Sequence, residues 1–393
     1  MADNNENKVL NVPPLRFPEF SGEWDSFKLV ELGKFIGGGT PSSSKLSFWT
    51  GSIPWISSSD IKEDNINNIS ISRYITEEAI EKSATKYCPA PVILIVSRVG
   101  VGKVALSHTS LCTSQDFCNI IEIKCHPVFL SYNLLRTMKR KSREVQGTSI
   151  KGITSDELQK MRVFIPKNKD EQNKISNLLT LLDERIATQN KIIEDLKKLK
   201  SAIVDRLYSS TNGETYSFCQ LFEVVNEKNK KLDYRNVLSA SQELGMIERS
   251  DINIDIKFEQ ESISGYKIVR KGDYVVHLRS FQGGFAFSDR TGICSPAYTI
   301  LRPNDLVGYG YLSHFFTSKL FIKSLKLVTY GIRDGRSINV DEWLNMTVTL
   351  PNIQEQVRIL TIINAIDAKL HIEIKKQSCL FRQKSYLLNT MFI

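Results

Sequence analysis

A run of glycine, serine and lysine near position 100 has the residue types that hold a phosphate group. The stretch SRVGVGKV approaches the phosphate-binding pattern GxxxxGK[ST], in which backbone N–H groups and a lysine surround the phosphates. Ser97 stands where the pattern requires its first glycine, and Val104 stands where it requires the Ser or Thr after Lys103. Two required positions hold the wrong residue types, so we do not interpret the stretch as a nucleotide site.

A second stretch, SPAY from Ser295 to Tyr298, is similar to the Ser/Asn/Asp-Pro-Pro-aromatic loop in which amino-methyltransferases hold a flipped base. Ala297 replaces the second proline, and the FxGxG segment that accompanies the loop is only approached by FQGGF at Phe281. The segment around SPAY is also too short for a full methyltransferase domain. A turn is the simpler interpretation, and we expect no catalytic site in this chain.

The cysteines and histidines show no metal-binding or disulfide pattern. The cysteines are odd in number, scattered and never arranged as CxxC. They are Cys88, Cys112, Cys118, Cys125, Cys219, Cys294 and Cys379. The five histidines do not cluster with them, and no Ser/His/Asp set or carboxylate pair has a readable spacing. We therefore expect reduced cysteines, no metal site and no cofactor bound by this chain.

Polar loops remain as candidates, because hydroxyl, amide and basic side chains read base edges and hold phosphates. In the first half of the chain the candidate DNA-binding residues are Thr40, Ser42, Ser43, Ser44, Lys45, Ser57, Ser58, Ser59, Asp60, Ser97, Arg98, Lys103, Gln115, Asp116 and Lys151. In the second half they are Ser239, Ser241, Gln242, Arg279, Ser280, Gln282, Ser295, Tyr298, Arg333 and Arg336. Each hydroxyl has an equally good alternative role as a turn or cap residue.

The charge balance favours a polyanionic partner. Lys and Arg outnumber Asp and Glu by 52 to 43, which gives a formal net charge of +9. The N-terminal sequence MADNNENKVLNVPPLRF has no basic start followed by an apolar run, and no stretch approaches the roughly 18 apolar residues of a membrane span. We therefore expect a cytoplasmic protein that does not enter a membrane.

The elements that must position these loops emerge when the chain is compared with itself. The segment ITSDELQKMRVFIP, from Ile153 to Pro166, aligns with INVDEWLNMTVTLP, from Ile338 to Pro351. A shared N-x-x-E-Q follows in both copies, and it predicts the capped first turn of a helix. The repeat also places the basic loops GTSIKGIT and GIRDGRSIN at matching positions, which favours Lys151, Arg333 and Arg336 as contacts to phosphate or guanine.

Each repeat continues into a long amphipathic helix whose apolar residues recur mostly at steps of three and four. In the first helix this stripe comprises Ile175, Leu178, Leu182, Ile186, Ile193, Leu196, Ile203 and Leu207. In the second it comprises Ile359, Ile362, Ile366, Leu370, Leu380, Leu387 and Met391, in the same phase. Stripes of this length predict that the two helices pair with each other, and each helix would span roughly 55–60 Å.

The repeat divides the chain into two globular segments and two helices. We predict an N-terminal tail at 1–15, a first domain at 16–166 and a first long helix at 167–208. A linker at 209–215, a second domain at 216–351 and a second long helix at 352–393 follow. Short apolar or alternating runs such as VILIVSRV and DYVVHL predict that both domains are mainly β with a few helices.

This layout resembles the specificity subunit of Type I restriction-modification systems over essentially the whole chain. The segments LRFPEFSGEW, KLVELGKFIGGGTPS, IPWISSSDI and LIVSRVGVGKVA resemble the family's first target-recognition domain in order and spacing. The resemblance implies an α+β fold with two mainly β or mixed target-recognition domains, separated by a pair of long antiparallel coiled-coil helices with pseudo-two-fold symmetry. The second domain has fewer recognisable stretches.

The resemblance also implies the partners. Each domain would read one half of a bipartite, asymmetric site in double-stranded DNA, and the helices would set the spacer and dock two methylation subunits. Restriction subunits would join the full complex, and S-adenosylmethionine, ATP and magnesium would belong to the partner subunits. Two alternatives remain open at this point: a self-contained DNA adenine methyltransferase, and a coiled-coil scaffold that binds only protein.

Overall fold

The structure is a computed structural model that describes residues 10–145, 152–241, 244–251, 260–277, 284–325, 329–330 and 337–393. The chain forms two units, one made of Met1–Asn190 and Lys376–Ile393 and the other of Lys191–Lys375. No helix in the described ranges is long and apolar enough to cross a membrane.

The first unit contains two four-stranded sheets with helices packed against them. Its strands are β1 (Asp25–Lys28), β2 (Lys34–Gly37), β3 (Ile53–Ile56), β4 (Arg73–Ile75), β5 (Tyr87–Cys88), β6 (Val92–Val96), β7 (Val104–Ser107), β8 (Leu111–Thr113), β9 (Phe117–Ile121) and β10 (Arg162–Ile165). Its helices are α1 (Glu77–Glu81), α2 (Pro127–Val145), α3 (Ser155–Lys160) and the first part of α4 (Lys169–Ser209). The sheet orders are β2-β9-β6-β7 and β4-β3-β8-β5, and β1 pairs with β10.

Strand β6 shows why the run VILIV folds as it does. All five of its residues are buried. Because successive side chains of a strand point to opposite faces, Ile93 and Ile95 pack with Phe129 of α2, while Leu94 packs with Ile56 of the second sheet. A strand covered on both faces has no polar side to alternate with, and its sequence is therefore continuously apolar.

The second unit repeats part of this plan, with one four-stranded sheet. Its strands are β11 (Glu214–Ser217), β12 (Phe222–Val225), β13 (Leu238–Ser241), β14 (Gly245–Glu248), β15 (Lys267–Val269), β16 (Tyr274–Val276), β17 (Phe285–Phe287), β18 (Gly292–Cys294), β19 (Thr299–Pro303), β20 (Thr329–Tyr330), β21 (Ser337–Ile338) and β22 (Thr347–Leu350). Its helices are α5 (Phe218–Leu221), α6 (Tyr311–Phe315), α7 (Lys319–Ser324), α8 (Val340–Leu344) and most of α9 (Ile353–Thr390).

The two units share a strand pair and a four-stranded sheet, which together we call the frame, and they differ in their remaining strands. In the first unit β1 pairs with β10 beside the sheet β2-β9-β6-β7, and in the second β11 pairs with β22 beside the sheet β12-β19-β16-β17. The remaining strands differ: the first unit has one four-stranded second sheet, while the second unit has the separate pairs β13-β14, β15-β18 and β20-β21. The internal repeat predicted from the sequence is therefore confirmed in the sheet frame.

The glutamine of the repeated N-x-x-E-Q has the same role in both copies. The Gln172 side chain donates to the carbonyl oxygen of Pro166 at 2.9 Å and accepts from the backbone N–H of His126 at 3.0 Å. The Gln356 side chain donates to the Pro351 carbonyl at 2.9 Å and accepts from the backbone N–H of Gly308 at 2.7 Å. Both glutamines are buried, so each satisfies backbone groups at the junction of strand and helix that water cannot reach.

The N-terminal segment LRFPEFSGEW is attached to the ends of both long helices within the first unit. Arg16 donates two hydrogen bonds to the buried carboxylate of Glu171, at 2.7 and 2.8 Å, and Trp24 donates a third at 3.2 Å. Trp24 also packs edge-on against Phe392. The backbone N–H of Leu15 bonds to the carbonyl of Thr390, so residues predicted as a tail at 1–15 are partly docked on the fold.

The predicted linker at 209–215 is also partly structured. Glu214 and Thr215 are the first residues of β11, where they pair with Leu350 and Thr349. The strand therefore includes the last two residues of the predicted linker.

The apolar stripes of the long helices lie close to their predicted phase but drift by one residue. Among the predicted positions, the buried ones are Ile175, Leu182, Ile186, Ile193, Ile359, Leu380 and Met391, and the half-buried ones are Leu178, Leu196, Ile203, Leu207, Ile366, Leu370 and Leu387. Ile362 is 39% exposed, and Ile363 is buried in its place. A helix turns every 3.6 residues, so a stripe counted in fixed steps moves off the contact face along a long helix.

Polar side chains fix the antiparallel register of α4 and α9. In the first unit Lys384 of α9 pairs with Asp183 of α4, and Gln377 donates to Asn190 at 2.6 Å, seven residues further along α4 and seven back along α9. In the second unit Lys200 and Asp367 form an ion pair at 2.5 Å in the same register. From one contact to the next, the residue numbers rise along α4 and fall along α9, so the two helices are antiparallel.

The Asp183–Lys384 pair is the most buried of these contacts, with each side chain only 3% exposed. Tyr132 donates to Asp183 at 2.9 Å, and Lys384 also donates to the backbone carbonyl of Asp64 at 2.5 Å. Burial raises the pKa of the Asp183 carboxyl and lowers the pKa of the Lys384 ammonium, and the attraction between the two charges opposes both effects. Each ion therefore depends on the other to remain charged inside the protein.

We expect Lys384→Met to lower the free energy of unfolding by about 3–5 kcal/mol, because it leaves the Asp183 carboxylate buried without a cation. The double variant Asp183→Asn/Lys384→Met removes both charges, keeps an acceptor for Tyr132 and should recover most of that loss. Lys198→Met is the control, since Lys198 pairs with Glu194 on the exposed surface and should contribute less than about 1 kcal/mol. Urea denaturation measures all three; a double variant as unstable as the single one would contradict this account.

Candidate nucleic-acid interface

Four loops predicted to carry DNA contacts lie side by side in the first unit. They are residues 38–45, 57–60, 97–103 and 114–116, and we call them the four-loop surface. Backbone hydrogen bonds connect loop 114–116 to the second and third loops. The N–H of Ser114 donates to the carbonyl of Ile56, just before loop 57–60, and the N–H of Ser97 donates to the carbonyl of Asp116 at 2.8 Å. Gly39 bonds to Thr113 at 2.8 Å. Segments far apart in sequence thus form one continuous polar surface.

The predicted residues of this surface differ in exposure. The exposed ones are Thr40, Ser42, Ser43, Ser44, Lys45, Ser59, Arg98 and Gln115. The half-buried ones are Ser57, Ser58, Asp60, Lys103 and Asp116. Ser97 is only 6% exposed, and its hydroxyl donates to the Asp116 carbonyl at 3.2 Å. The Ser97 hydroxyl is thus used to join two loops, and the structure does not support the prediction that it contacts DNA.

Close packing explains the glycines of the first loop. A Cβ atom on Gly38 would lie 1.9 Å from the carbonyl oxygen of Ser114, and one on Gly39 would lie 2.3 Å from Ala84. Only glycine fits at these two positions. The tight approach brings Thr40 against Gln115, and the Thr40 hydroxyl donates to the side-chain oxygen of Gln115. This contact orients an exposed amide, the group that can both donate to and accept from a base edge.

The second loop is held by its own side chains. Asp60 accepts from the backbone N–H of Ser57 at 2.7 Å and forms an ion pair with Arg73 of β4. The Arg73 guanidinium lies 4.6 Å from the ring of Trp55. Ser57 and Asp60 therefore position Arg73. Arg73 could not be predicted from the sequence, because a single arginine in a short strand forms no recognisable pattern.

The third loop, which approached the phosphate-binding pattern, has a different structure. It connects β6 to β7, which are antiparallel neighbours, whereas a phosphate loop leads from a strand into a helix. Gly100 and Gly102 have φ angles of +88° and +111°, so they make the turn. Lys103 donates to the Ser58 carbonyl at 3.2 Å and thereby links this loop to the second one.

Fewer of the predicted DNA-binding residues of the second unit lie within the described ranges. Ser239, Ser241, Ser295 and Tyr298 are all half-buried. Each of the three serine hydroxyls accepts a bond from a nearby group, respectively Arg249, the Leu244 N–H and the Ala297 N–H. Seven predicted residues lie outside the described residues: Lys151, Gln242, Arg279, Ser280, Gln282, Arg333 and Arg336.

The SPAY stretch forms a turn, as the sequence predicts. The Ser295 hydroxyl accepts from the backbone N–H of Ala297 at 3.3 Å, and the Ser295 carbonyl accepts from the N–H of Tyr298 at 3.1 Å. Lys267 donates to the Tyr298 carbonyl at 2.7 Å. The backbone groups that would otherwise be free are satisfied within the turn and by a neighbouring strand.

The cysteines of the described ranges are free thiols, and no group of three or more His, Cys, Asp or Glu residues in those ranges could hold a metal ion. Burial raises the pKa of Cys112 and of Cys294 to about 12. A thiol with so high a pKa carries almost no thiolate at neutral pH and is a poor nucleophile. These cysteines are core residues rather than reactive groups.

Comparison with known proteins identifies relatives along most of the chain. The curated relatives include the Type I restriction enzyme MjaIX specificity subunit of Methanocaldococcus jannaschii, 34% identical over 186 residues that cover 45% of this chain. The Type I restriction enzyme EcoR124I/EcoR124II specificity subunit of Escherichia coli is 35% identical over 218 residues that cover 52% of this chain. The aligned segments span 42% and 52% of those two relatives.

Solved structures share the fold. The S subunit of a Type I restriction-modification system from M. genitalium matches with a TM-score of 0.55 at 16% identity, over 97% of this chain and 99% of that one. A chain from a study of complex assembly and conformational transition of the type I R-M system matches with a TM-score of 0.61 at 14% identity, over 96% and 99%. At these identities the likeness concerns the fold alone.

The family model for the Type I restriction modification DNA specificity domain matches this chain twice, at residues 21–198 and 213–379. The two matches cover most of the chain and contain one copy of the internal repeat each. The chain therefore belongs to the family of Type I restriction-modification DNA specificity proteins.

Proposed function

We propose that this chain is the DNA sequence-specificity subunit of a Type I restriction-modification enzyme. In this proposal each unit reads one half of a bipartite, asymmetric site in double-stranded DNA, and the chain directs both methylation and restriction. The formal net charge of +9 agrees with a polyanionic partner. A self-contained DNA adenine methyltransferase and a protein-only scaffold are the alternatives.

The observation that supports the proposal most strongly is that the two units share a frame but differ in the strands and loops outside it. Both units have the same four-stranded sheet order and the same buried glutamine, but their second sets of strands and their loop residues differ. A common frame gives two modules the same geometry relative to a common scaffold. Different loops give them different base preferences, because base edges are read by side chains while the frame makes no such contact. In this proposal the two units therefore read half-sites of different sequence.

The helices α4 and α9 are assigned two roles in the proposal. Each helix contributes residues to both units, so the pair would set the spacing between half-sites. The pair would also dock two methylation subunits, and restriction subunits would join that assembly. Exposed apolar residues on α9, including Val357 and Ile372 at 55% and 58% exposure, support a protein partner for this helix.

The proposal assigns no catalytic centre to this chain. The loop at Lys103 joins two antiparallel strands rather than leading into a helix. The SPAY turn lacks the second proline and the accompanying FxGxG segment of the motif that it resembles. As the family resemblance implies, the proposal places S-adenosylmethionine with the methylation subunits, and ATP and magnesium with the restriction subunits.

We expect no binding of S-adenosylmethionine by the isolated chain, because its methyltransferase-like turn has no partner motif. Isothermal titration calorimetry measures this, and the chain assembled with the methylation subunits of its system provides the positive control. One mole of S-adenosylmethionine bound per mole of isolated chain would favour the methyltransferase alternative instead.

We expect Gln115→Ala to relax sequence preference in one half-site only. Loss of a bidentate amide contact costs about 1–3 kcal/mol of discrimination, which is roughly 5- to 150-fold between bases. Competition binding of the assembled complex to duplexes that vary one half-site at a time measures the change. Gln159→Ala, on α3 of the same unit, is the matched control and should leave both halves unchanged. An equal change in both halves would contradict the assignment of one half-site to each unit.

A further inference from the structure

A groove of about 480 Å³ lies between α2 and the C-terminal end of α9 within the first unit. Arg136, Lys139, Arg140 and Arg143 line it from α2, and Arg382 and Lys384 line it from α9. Asp64 is the one acidic residue among the lining residues that the structure describes. The groove is therefore strongly basic, although the net charge of the chain as a whole is moderate.

Among the described residues, three of the six cations are exposed and have no carboxylate partner. Lys139 pairs with Asp64 at 2.6 Å, and Lys384 pairs with Asp183. By contrast, Arg140, Arg143 and Arg382 are exposed and form no ion pair with a carboxylate in the described part of the chain.

The arginines on α2 are also placed where they repel one another. Arg136 and Arg140 are four residues apart on one helix face, and like charges at that spacing destabilise a helix. Burial, and then the charge of Arg140, lower the pKa of Arg136, whose guanidinium donates to the Ile393 carbonyl at 2.6 Å. An anion in the groove would relieve this repulsion. The planar guanidinium fork fits a phosphate group in particular.

The spread of the charges favours an extended polyanion over a single phosphate. Arg136 and Arg143 are seven residues apart, about 10 Å along α2. Arg382 comes from the other wall of the groove. A single phosphate group would occupy only part of that length, whereas the backbone of a nucleic acid presents a phosphate at every nucleotide.

The groove adjoins the four-loop surface. Loop 97–103 packs on α2, since a Cβ atom on Gly102 would lie 3.1 Å from the Ser142 hydroxyl oxygen, and Ser142 follows Arg140 on α2. Asp64 follows the loop 57–60 and contacts Lys139. A duplex whose bases face the four-loop surface therefore has its backbone close to the arginines.

We propose that this groove binds the sugar–phosphate backbone of the DNA beside the half-site read by the first unit. The inference rests on the proposed function and adds a phosphate-binding site to it. Such a site contributes affinity without sequence preference, because every nucleotide carries the same phosphate.

The test uses the chain assembled with the methylation subunits of its system and duplexes with and without its target sequence. The variant Arg140→Ala/Arg143→Ala/Arg382→Ala should weaken binding to both duplexes by roughly 10- to 100-fold near physiological salt. The slope of log affinity against log salt concentration should fall by up to about 3, since each lost phosphate contact removes about 0.9. The methylated sequence should not change.

Two control variants separate charge from folding and from net charge. The same three positions changed to Lys keep the cations and should retain the parental salt slope. Lys28→Ala/Lys34→Ala/Arg162→Ala removes three exposed cations of the same unit outside the groove lining and should retain the slope as well.

The outcomes distinguish this inference from the proposed function. If the parental complex binds DNA and the alanine variant keeps its salt slope, the groove proposal alone fails. Loss of assembly with the methylation subunits in the alanine variant would identify a protein occupant and also overturn it. A parental complex without salt-dependent affinity for any duplex would refute the proposed function itself.

Discussion

The antiparallel register of α4 and α9 is the constraint on which the rest of the structure depends. Asp183 and Lys384 are both buried, and a shift of one helix by a single turn would leave each charge without its partner in a site that water does not reach. Such pairs add little to stability relative to an apolar core. They exclude other registers instead, as buried polar residues do in coiled coils.

Both units depend on that register because both helices belong to both cores. In the first unit Ile175 and Leu179 of α4 pack in one cluster with Leu388 of α9 and with Met391, which follows α9. In the second unit Val204 and Tyr208 of α4 share a cluster with residues of α9, among them Ile359 and Ile363. A change of register would therefore disturb the core of each unit. Strands β10 and β22 lead directly into α4 and α9, so the position of the strand pairs β1-β10 and β11-β22 depends on these helices.

Much of this arrangement could be predicted from the sequence, and the parts that could not share a physical cause. The repeat, the helix caps and the doubly buried strand VILIV are local patterns, and they predicted the frame. The buried charges at Asp183 and Lys384 could not be recognised, because charged residues on an amphipathic helix are ordinarily solvent-exposed and only a partner 201 residues away changes that. The one-residue drift at Ile362 likewise follows from the accumulated helical twist.

The candidate site also has some residues that could be predicted from the sequence and others that could not. Residue type and loop composition led to Thr40 and Gln115, but their contact depends on glycines packed against a distant strand. Arg73 and the arginine groove carry no local signal, since the groove forms only when α2 meets the C-terminal end of α9. Under the proposed function, the exposed Gln115 amide on one surface and the arginines beside it would supply the two classes of contact that a DNA-reading protein needs: those that specify the sequence and those that position the duplex.

The central claim is that one chain holds two different readers on a duplicated frame. Methylome sequencing of a host that carries the complete system, compared with the same host lacking this chain, tests it most directly. We expect a methylated motif in two unlike parts separated by a fixed number of unspecified base pairs, and loss of that methylation without the chain. A continuous palindromic motif, or a motif that persists without the chain, would contradict it.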